Sequence, residues 1–322
     1  MKQERINDEF KQWNGILNNA NNCLSKNKVI PTGSIQFDKA LGIGGFPIGR
    51  IVEIYGNESS GKTTIALQLI KEAQQKELKT LFIDAEHSLD IEYVKTIGID
   101  TNKLLVANPI TGEQVFELIE YAIKNKLANL IVIDSVASML PSQEAENNIN
   151  DQQLGAHARL MSRGLRKIQA LLVNEEVCII FLNQIREKIG VFFGNPETTT
   201  GGKALKFYAS IRIEIKKADL IKNNNEKIGI KSKVTITKNK LAPPYKTAYV
   251  DIYFNQGYDY TNEIIEYAIE NNIIQKNGSW YFYEDKKIVQ GREQLRKYML
   301  ENSETFNKIK AIVIDKIKVN CN

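Results

Sequence analysis

With 322 residues the chain is too long for one ordinary compact domain and too short for three, and its 43% hydrophobic content is enough to build a proper core. No apolar run nears the about 18 residues that a membrane span needs, and the mixed charge of residues 1–8 argues against a secretory leader, so a cytoplasmic protein without a membrane partner is expected. Cys23, Cys178 and Cys321 are odd in number and far apart, which speaks against a disulfide framework or a thiolate metal site, while a net charge of +5 permits a polyanionic partner without requiring one.

In chain order, Phe10, Trp13, Ile16, Leu17, Ala20 and Leu24 are spaced to lie on one helical face within residues 1–30, a face that needs covering. Turn material follows in Pro31-Thr-Gly-Ser34 and the glycine-rich stretch 42–49. From 51 to about 258, strand-like runs at 51–55, 80–84, 130–134 and 177–182 alternate with helical patterns near 64–76, 113–126 and 159–173, which predicts buried parallel strands joined by crossover helices. Runs at 209–216, 234–238 and 248–254 lie closer together and predict a sheet extension with hairpin connections. Beyond Tyr260, helical patterns at 263–271, 293–301 and 304–317 surround a short strand at 280–283, enough for a small α+β unit.

The chemistry begins at residues 56–63, Gly56-Asn57-Glu58-Ser59-Ser60-Gly61-Lys62-Thr63, placed after a strand and before a helix that opens with Thr64. That order brings glycine-rich backbone N–H groups and the positive end of a helix onto phosphate oxygens. Lys62 supplies a point charge for the terminal phosphates and the Thr63 hydroxyl a hard oxygen ligand for Mg2+. Ligands of an open α/β sheet sit at the carboxyl ends of its parallel strands, where this chain places Asp84, Glu86, Asp134, Ser135 and Gln184. Asp134, after four aliphatic residues, suits the acidic side of the Mg2+ shell; Glu86 suits orientation or deprotonation of water; Gln184 can sense a terminal phosphate and pass its presence to the loop that follows. Together these predict ATP binding and hydrolysis. Residues 185–202 combine Arg186 and Lys188 for phosphates with Ile189, Val191, Phe192 and Phe193 for bases and several glycines for mobility. His157 has no metal-binding partner nearby, since His87 is the only other histidine, and is given no catalytic role.

Long segments of the chain resemble the bacterial RecA recombinases: Gly49-Arg-Ile-Val-Glu-Ile-Tyr-Gly56, Glu58-Ser-Ser-Gly-Lys-Thr-Thr64, Phe82-Ile-Asp-Ala-Glu-His87, Asn183-Gln-Ile-Arg186 and Phe193-Gly-Asn-Pro-Glu-Thr-Thr-Thr-Gly-Gly202. The last is far more specific than a phosphate loop. The resemblance implies a RecA-type α/β P-loop ATPase core with a mostly parallel central sheet at 31–258, an N-terminal oligomerisation helix at 1–30 and a small C-terminal α+β duplex-binding domain at 259–322. It implies DNA-binding loops near 144–155 and 185–202, with Leu154, Arg159, Ser162, Arg166, Ile189, Phe193, Gly201 and Gly202 contacting or shaping a single strand, and Asp90 and Tyr93 holding adenine. Lys238-Asn-Lys240 matches a motif whose lysines reach the neighbouring protomer's ATP, as an arginine finger does elsewhere. Lys276, Trp280 and Arg292 fall where the family has a duplex-binding surface.

The function so implied is pairing and exchange of single-stranded with double-stranded DNA by a helical homo-oligomeric filament loaded with ATP and Mg2+, in recombinational repair, with stimulation of a LexA-type repressor's self-cleavage in an SOS response. Two other readings stay open: a nucleotide-switched filament scaffold without strand exchange, and a hexameric helicase of related core, which the 194–202 loop and the C-terminal unit disfavour. Departures from the family pattern include Asn57 in place of the usual proline, which adds an N–H to the loop, and Ile91-Glu92 before Tyr93. The short N-terminal helix lacks the glycine-lysine-glycine stretch that usually follows it. The sequence closes at Asn322 with Lys316-Ile-Lys318 nearby and without the family's acidic tail, so duplex binding less autoinhibited and less Mg2+-dependent than in tailed relatives is expected.

Overall fold

The computed structural model describes residues 28–146, 155–187, 197–223 and 226–320, so nearly all of the expected N-terminal helix lies outside the described residues. A two-residue strand pair, β1 (Val29–Ile30) with β2 (Phe46–Pro47), and helix α1 (Ile35–Leu41) lead into the first core strand, β3 (Ile51–Gly56). The Ser34 side chain caps α1 by accepting from the Phe37 N–H, and Gly42 ends it in a left-handed conformation, φ 74°, that favours glycine. Helix α2 (Lys62–Gln75), β4 (Thr80–Asp84), α3 (Ile91–Ile97), β5 (Leu104–Ala107), α4 (Gly112–Lys124) and β6 (Leu130–Asp134) follow. Next come the one-turn helix α5 (Ser142–Glu146), α6 (Ala156–Leu171), β7 (Cys178–Glu187), β8 (Glu197–Thr199), the short helix α7 (Ala204–Tyr208) and β9 (Ile211–Asn223).

Five strands run parallel to their neighbours in the order β5-β4-β6-β7-β3, and β9 continues the parallel set beside β3. Beyond β9 the sheet turns antiparallel through β10 (Glu226–Asn239), β11 (Thr247–Tyr253) and β12 (Gly257–Tyr258), the hairpin extension expected from the closely spaced runs. Alternate residues of each central strand feed two cores. Val52, Ile54, Val132, Ile180 and Leu182 pack against α1 and α2 on one face, and Ile51, Ile131, Ile133, Ile179 and Phe181 pack against α4 and α6 on the other. Helix α4 shows the fit of pattern to place. A Thr111/Gln114 capping box starts it, and Val115, Phe116, Ile119 and Ile123 form its buried stripe. The expected run at 177–182 continues as a strand to Glu187, and β8 pairs back on it, so the ends of the 185–202 segment form a short antiparallel ribbon instead of open loop.

A third cluster, built on Ile264, Ile265, Leu295, Met299, Ile309 and Val313, joins helices α8 (Thr261–Glu270), α9 (Arg292–Glu301) and α10 (Ser303–Asn320) to the antiparallel sheet β13 (Gln275–Asn277), β14 (Trp280–Tyr283) and β15 (Lys286–Gln290). Its seam with α1 combines the packing of Ile35 with polar contacts. Glu263 at the start of α8 accepts from the Ser34 hydroxyl at 2.7 Å and the Gln36 N–H at 3.3 Å; Asp38 accepts from the Thr32 N–H at 2.9 Å; the Lys39 ammonium sits 4.2 Å from the centre of the Tyr267 ring. Burial pushes both carboxyls up to about 7, chiefly by removing them from water. Their neutral forms are favoured in the fold, so the folded chain keeps protons that the unfolded chain has lost. These groups therefore favour folding below about pH 4, and that contribution is lost as pH rises to about 7. Glu263→Gln is expected to remove its share of that fall, at most about 3 kcal/mol, read as a flatter pH dependence of the urea unfolding midpoint.

Candidate functional site

Gly56 ends β3 where a Cβ would stand 2.1 Å from the Ile215 carbonyl oxygen, so the loop leaves the sheet only because that residue has no side chain. Gly61 takes φ 95° as the N-cap of α2, leaving the first amides of the helix without a side-chain cap. Lys62 turns its ammonium back onto the loop, donating to the Asn57 carbonyl at 2.8 Å, and Ser232 of β10 fixes the loop from beneath through the Ser60 carbonyl at 2.8 Å. Thr63 donates its hydroxyl to Asp134 Oδ2 at 2.7 Å. Burial raises Asp134 to about 6 against the Thr63 hydrogen bond, with Glu86 adding repulsion, and burial lowers Lys62. An anion-ready amide loop thus faces a buried carboxylate whose nearest cation is Lys62 of the loop itself.

Glu86 completes the cluster. Its Oε1 accepts from the Ser135 hydroxyl and from Gln184 Nε2 at 3.1 Å. Its backbone N–H, like that of Ala85, donates to the Asp134 carbonyl. Thr64 Oγ1 lies 3.1 Å from the Tyr93 hydroxyl, and Asp90 caps α3 by accepting from the Glu92 and Tyr93 amides, so the pair expected at a purine ring stands beside the start of α2. Lys62, Thr63, Glu86, Asp134, Ser135 and Gln184 are thus brought together by side-chain hydrogen bonds and by the strand register. Lys238 and Lys240 are held elsewhere. Their ammonium groups donate to the carbonyls of α7, Lys238 to Lys206 and Phe207 at 2.6 and 3.1 Å and Lys240 to Phe207 at 3.4 Å.

Two buried polar residues, Glu53 and Asn183, were given no individual role from the sequence. Glu53, fully buried inside β3, pairs with Arg212 of β9 and accepts from Asn183 Nδ2 at 3.0 Å. The second Nδ2 proton of Asn183 goes to the Thr200 carbonyl at 3.0 Å, and its oxygen receives the Gln184 amide, so one side chain ties β3, β7 and the segment after β8. A glutamate in the apolar run Ile51-Val-Glu-Ile-Tyr55 is the signal that could have revealed this network. Asp84 Oδ1 and Ser60 Oγ are buried without hydrogen-bond partners, both next to the loop and the strand ends. These unfilled polar atoms, the uncapped α2 amides and the Thr63–Asp134 pair fit a nucleoside triphosphate with Mg2+. Among the described residues no three His, Cys, Asp or Glu side chains could hold a metal alone, so the remaining Mg2+ ligands would be phosphate and water oxygens.

Two family models divide the sequence between them, the RecA N-terminal domain over residues 3–259 and the RecA C-terminal domain over residues 262–318. The chain belongs to the RecA family. It is 58% identical over 284 residues to Protein RecA of Ureaplasma parvum serovar 3, covering 88% of this chain and 85% of the relative. Identity is 52% to Protein RecA of Malacoplasma penetrans, over 91% and 89% of the two chains, and 46% to that of Mycoplasma pneumoniae, over 98% and 97%. The crystal structure of the RadB recombinase superposes with a TM-score of 0.55 at 21% identity, covering 71% of this chain and 98% of its own, which shows a shared fold.

In this RecA-family chain, Arg159, Ser162 and Arg166 stand on α6, both arginines exposed, and Arg186 is exposed on β7. Gly201 and Gly202, with φ of 86° and 75°, bring the segment after β8 against the same helix: a Cβ on Gly202 would be 3.0 Å from that of Ala158. Leu154, Lys188, Ile189 and Phe193 lie outside the described residues. His157 keeps a buried Nε2 without a partner, and burial lowers its pKa. Among the described residues no helix is long and apolar enough to cross a membrane. Replacing Arg212 by Met leaves the Glu53 charge buried and unpaired, with an expected loss of about 3–5 kcal/mol in urea unfolding, and a second change, Glu53→Gln, is expected to restore part of it.

Proposed function

We propose that the chain is an ATP-dependent DNA recombinase that forms a filament on single-stranded DNA, pairs it with homologous duplex and turns over by hydrolysis. The observation that carries this reading is the continuous hydrogen-bonded path from the phosphate loop to the ribbon of 185–187 and 197–199: Thr63–Asp134, the Asp134 carbonyl with the Glu86 amide, Glu86–Gln184, the Gln184 amide with Asn183, and Asn183–Thr200. Bound ATP and Mg2+ supply an activated phosphoryl group and a charge that stabilises its transfer. The amides of residues 58–63 and Lys62 would hold the phosphates and Thr63 and Asp134 the metal, while Ser135 and Gln184 orient Glu86, whose Oε2 would accept a proton from the attacking water. Gln184 shares that carboxylate, so a change at the terminal phosphate alters the start of that ribbon. Lys238 and Lys240, bonded to α7 and not to their own phosphate loop among the described residues, serve the nucleotide of the neighbouring protomer. Arg159, Ser162, Arg166 and Arg186 hold the single strand.

Hydrolysis by the full chain, measured with and without single-stranded DNA, tests the reading. DNA is expected to stimulate turnover. Lys62→Ala is expected to abolish nucleotide binding, and Glu86→Gln to keep binding while slowing hydrolysis by at least about 100-fold, the usual loss for a removed general base. Hydrolysis indifferent to DNA, or unchanged by Glu86→Gln, would overturn it.

A further inference from the structure

Beside the helix that carries the proposed strand contacts lies a recess of about 300 Å3, separate from the phosphate loop. Arg159 and Arg163 of α6 form one wall, Glu113 and Gln143 the other, with Pro141 and Leu160 as apolar lining. Arg163 has no part in the site described above. At about 100° per residue around the helix, Arg159, Arg163 and Arg166 fall within an arc of about 60°, so they form one exposed guanidinium stripe.

The charge balance around that stripe is uneven. Lys167, next to Arg166, is neutralised by Glu120 Oε2 at 2.5 Å. None of the three arginines forms an ion pair among the described residues. The carboxylate in the recess, Glu113, is already engaged, its Oε2 accepting from the Ser142 amide at 2.9 Å and hydroxyl at 2.8 Å. Two unpaired forked cations at the mouth of a small, partly apolar recess match a phosphodiester with its sugar: the guanidinium groups bond the anion in pairs, and Leu160 and Pro141 cover the deoxyribose.

We propose that Arg163 is a further backbone contact for the bound single strand, and that the recess between Arg159 and Arg163 holds one of its phosphodiesters. This rests on the recombinase reading above.

The test is anisotropy of a labelled oligonucleotide with the full chain, ATP and Mg2+, titrated across salt concentrations for wild type, Arg163→Gln, Arg163→Lys and Arg166→Gln. Removing one phosphate contact is expected to weaken binding about tenfold and to lower the slope of log affinity against log salt by about 0.7, equally for unrelated sequences. Arg163→Lys keeps the charge and is expected to restore the slope, a rescue that loss of packing alone would not give. Normal affinity and slope in Arg163→Gln, with Arg166→Gln impaired, would overturn the proposal. So would an unchanged slope accompanied by weaker self-assembly without DNA in light scattering, which would assign the recess to a second copy of the chain. Absence of ATP-dependent single-strand binding by the wild type would instead remove the recombinase reading itself.

Discussion

Parallel register is the constraint on which the site depends. Gly56 of β3 stands level with Gln184 of β7, and Asp84 of β4 with Asp134 of β6, so four strands deliver their polar ends to one edge of the sheet. A shift by one residue would turn each of these side chains to the opposite face. The register is held by full burial on both sides, since residues 51–56, 80–84 and 130–134 are buried throughout and Leu81-Phe-Ile83 and Leu130-Ile-Val-Ile133 alternate between the two hydrophobic clusters. Apolar packing thus fixes the placement of the few polar groups that protrude beyond it.

Those polar groups form a connected network in which few atoms are redundant. Glu86 bonds both Ser135 and Gln184, and Asn183, the residue before Gln184, bonds both the buried Glu53 and the carbonyl of Thr200. Glu53, Asn183, Asp134 and Ser135 are buried, so an unpaired member among them is costly and their arrangement is sharply defined. Glu86 is exposed and Gln184 half-buried at the water-facing end of the network. A change in what Glu86 binds reaches Gln184 through the 3.1 Å bond they share, and through it the strand that leads into the ribbon. That property supports the proposed linkage between nucleotide and DNA more directly than any single residue does.

Much of this was legible before the structure, and the misses have physical causes. Strands 80–84 and 130–134 are apolar runs buried on both faces, and their bounds follow from the pattern alone. Strand β5 escaped because it is a short edge: Leu104-Leu105-Val106-Ala107 is a four-residue apolar run without alternation, and Leu105 and Val106 are 49% and 39% exposed instead of buried like the central strands. The phosphate loop, Asp134, Glu86 and Gln184 could be singled out because each stands at or just after the end of an apolar run. The Glu53–Arg212 pair was not, because its partners lie 159 positions apart and meet only once β9 is set beside β3. Arg163 was passed over for a different reason: an arginine on an exposed helix is ordinary until its neighbours prove to be uncompensated.

The central claim, that nucleotide binding at this edge drives recognition of homologous DNA, is tested most directly by joint-molecule formation. The full chain would be mixed with ATP, Mg2+, a labelled single strand and supercoiled duplex that is either homologous or unrelated, with Lys62→Ala as the control. Joint molecules are expected only with homologous duplex and only with Lys62 intact. Filaments that form on the single strand with ATP yet yield no joint molecules would contradict strand exchange and leave a nucleotide-switched scaffold in its place.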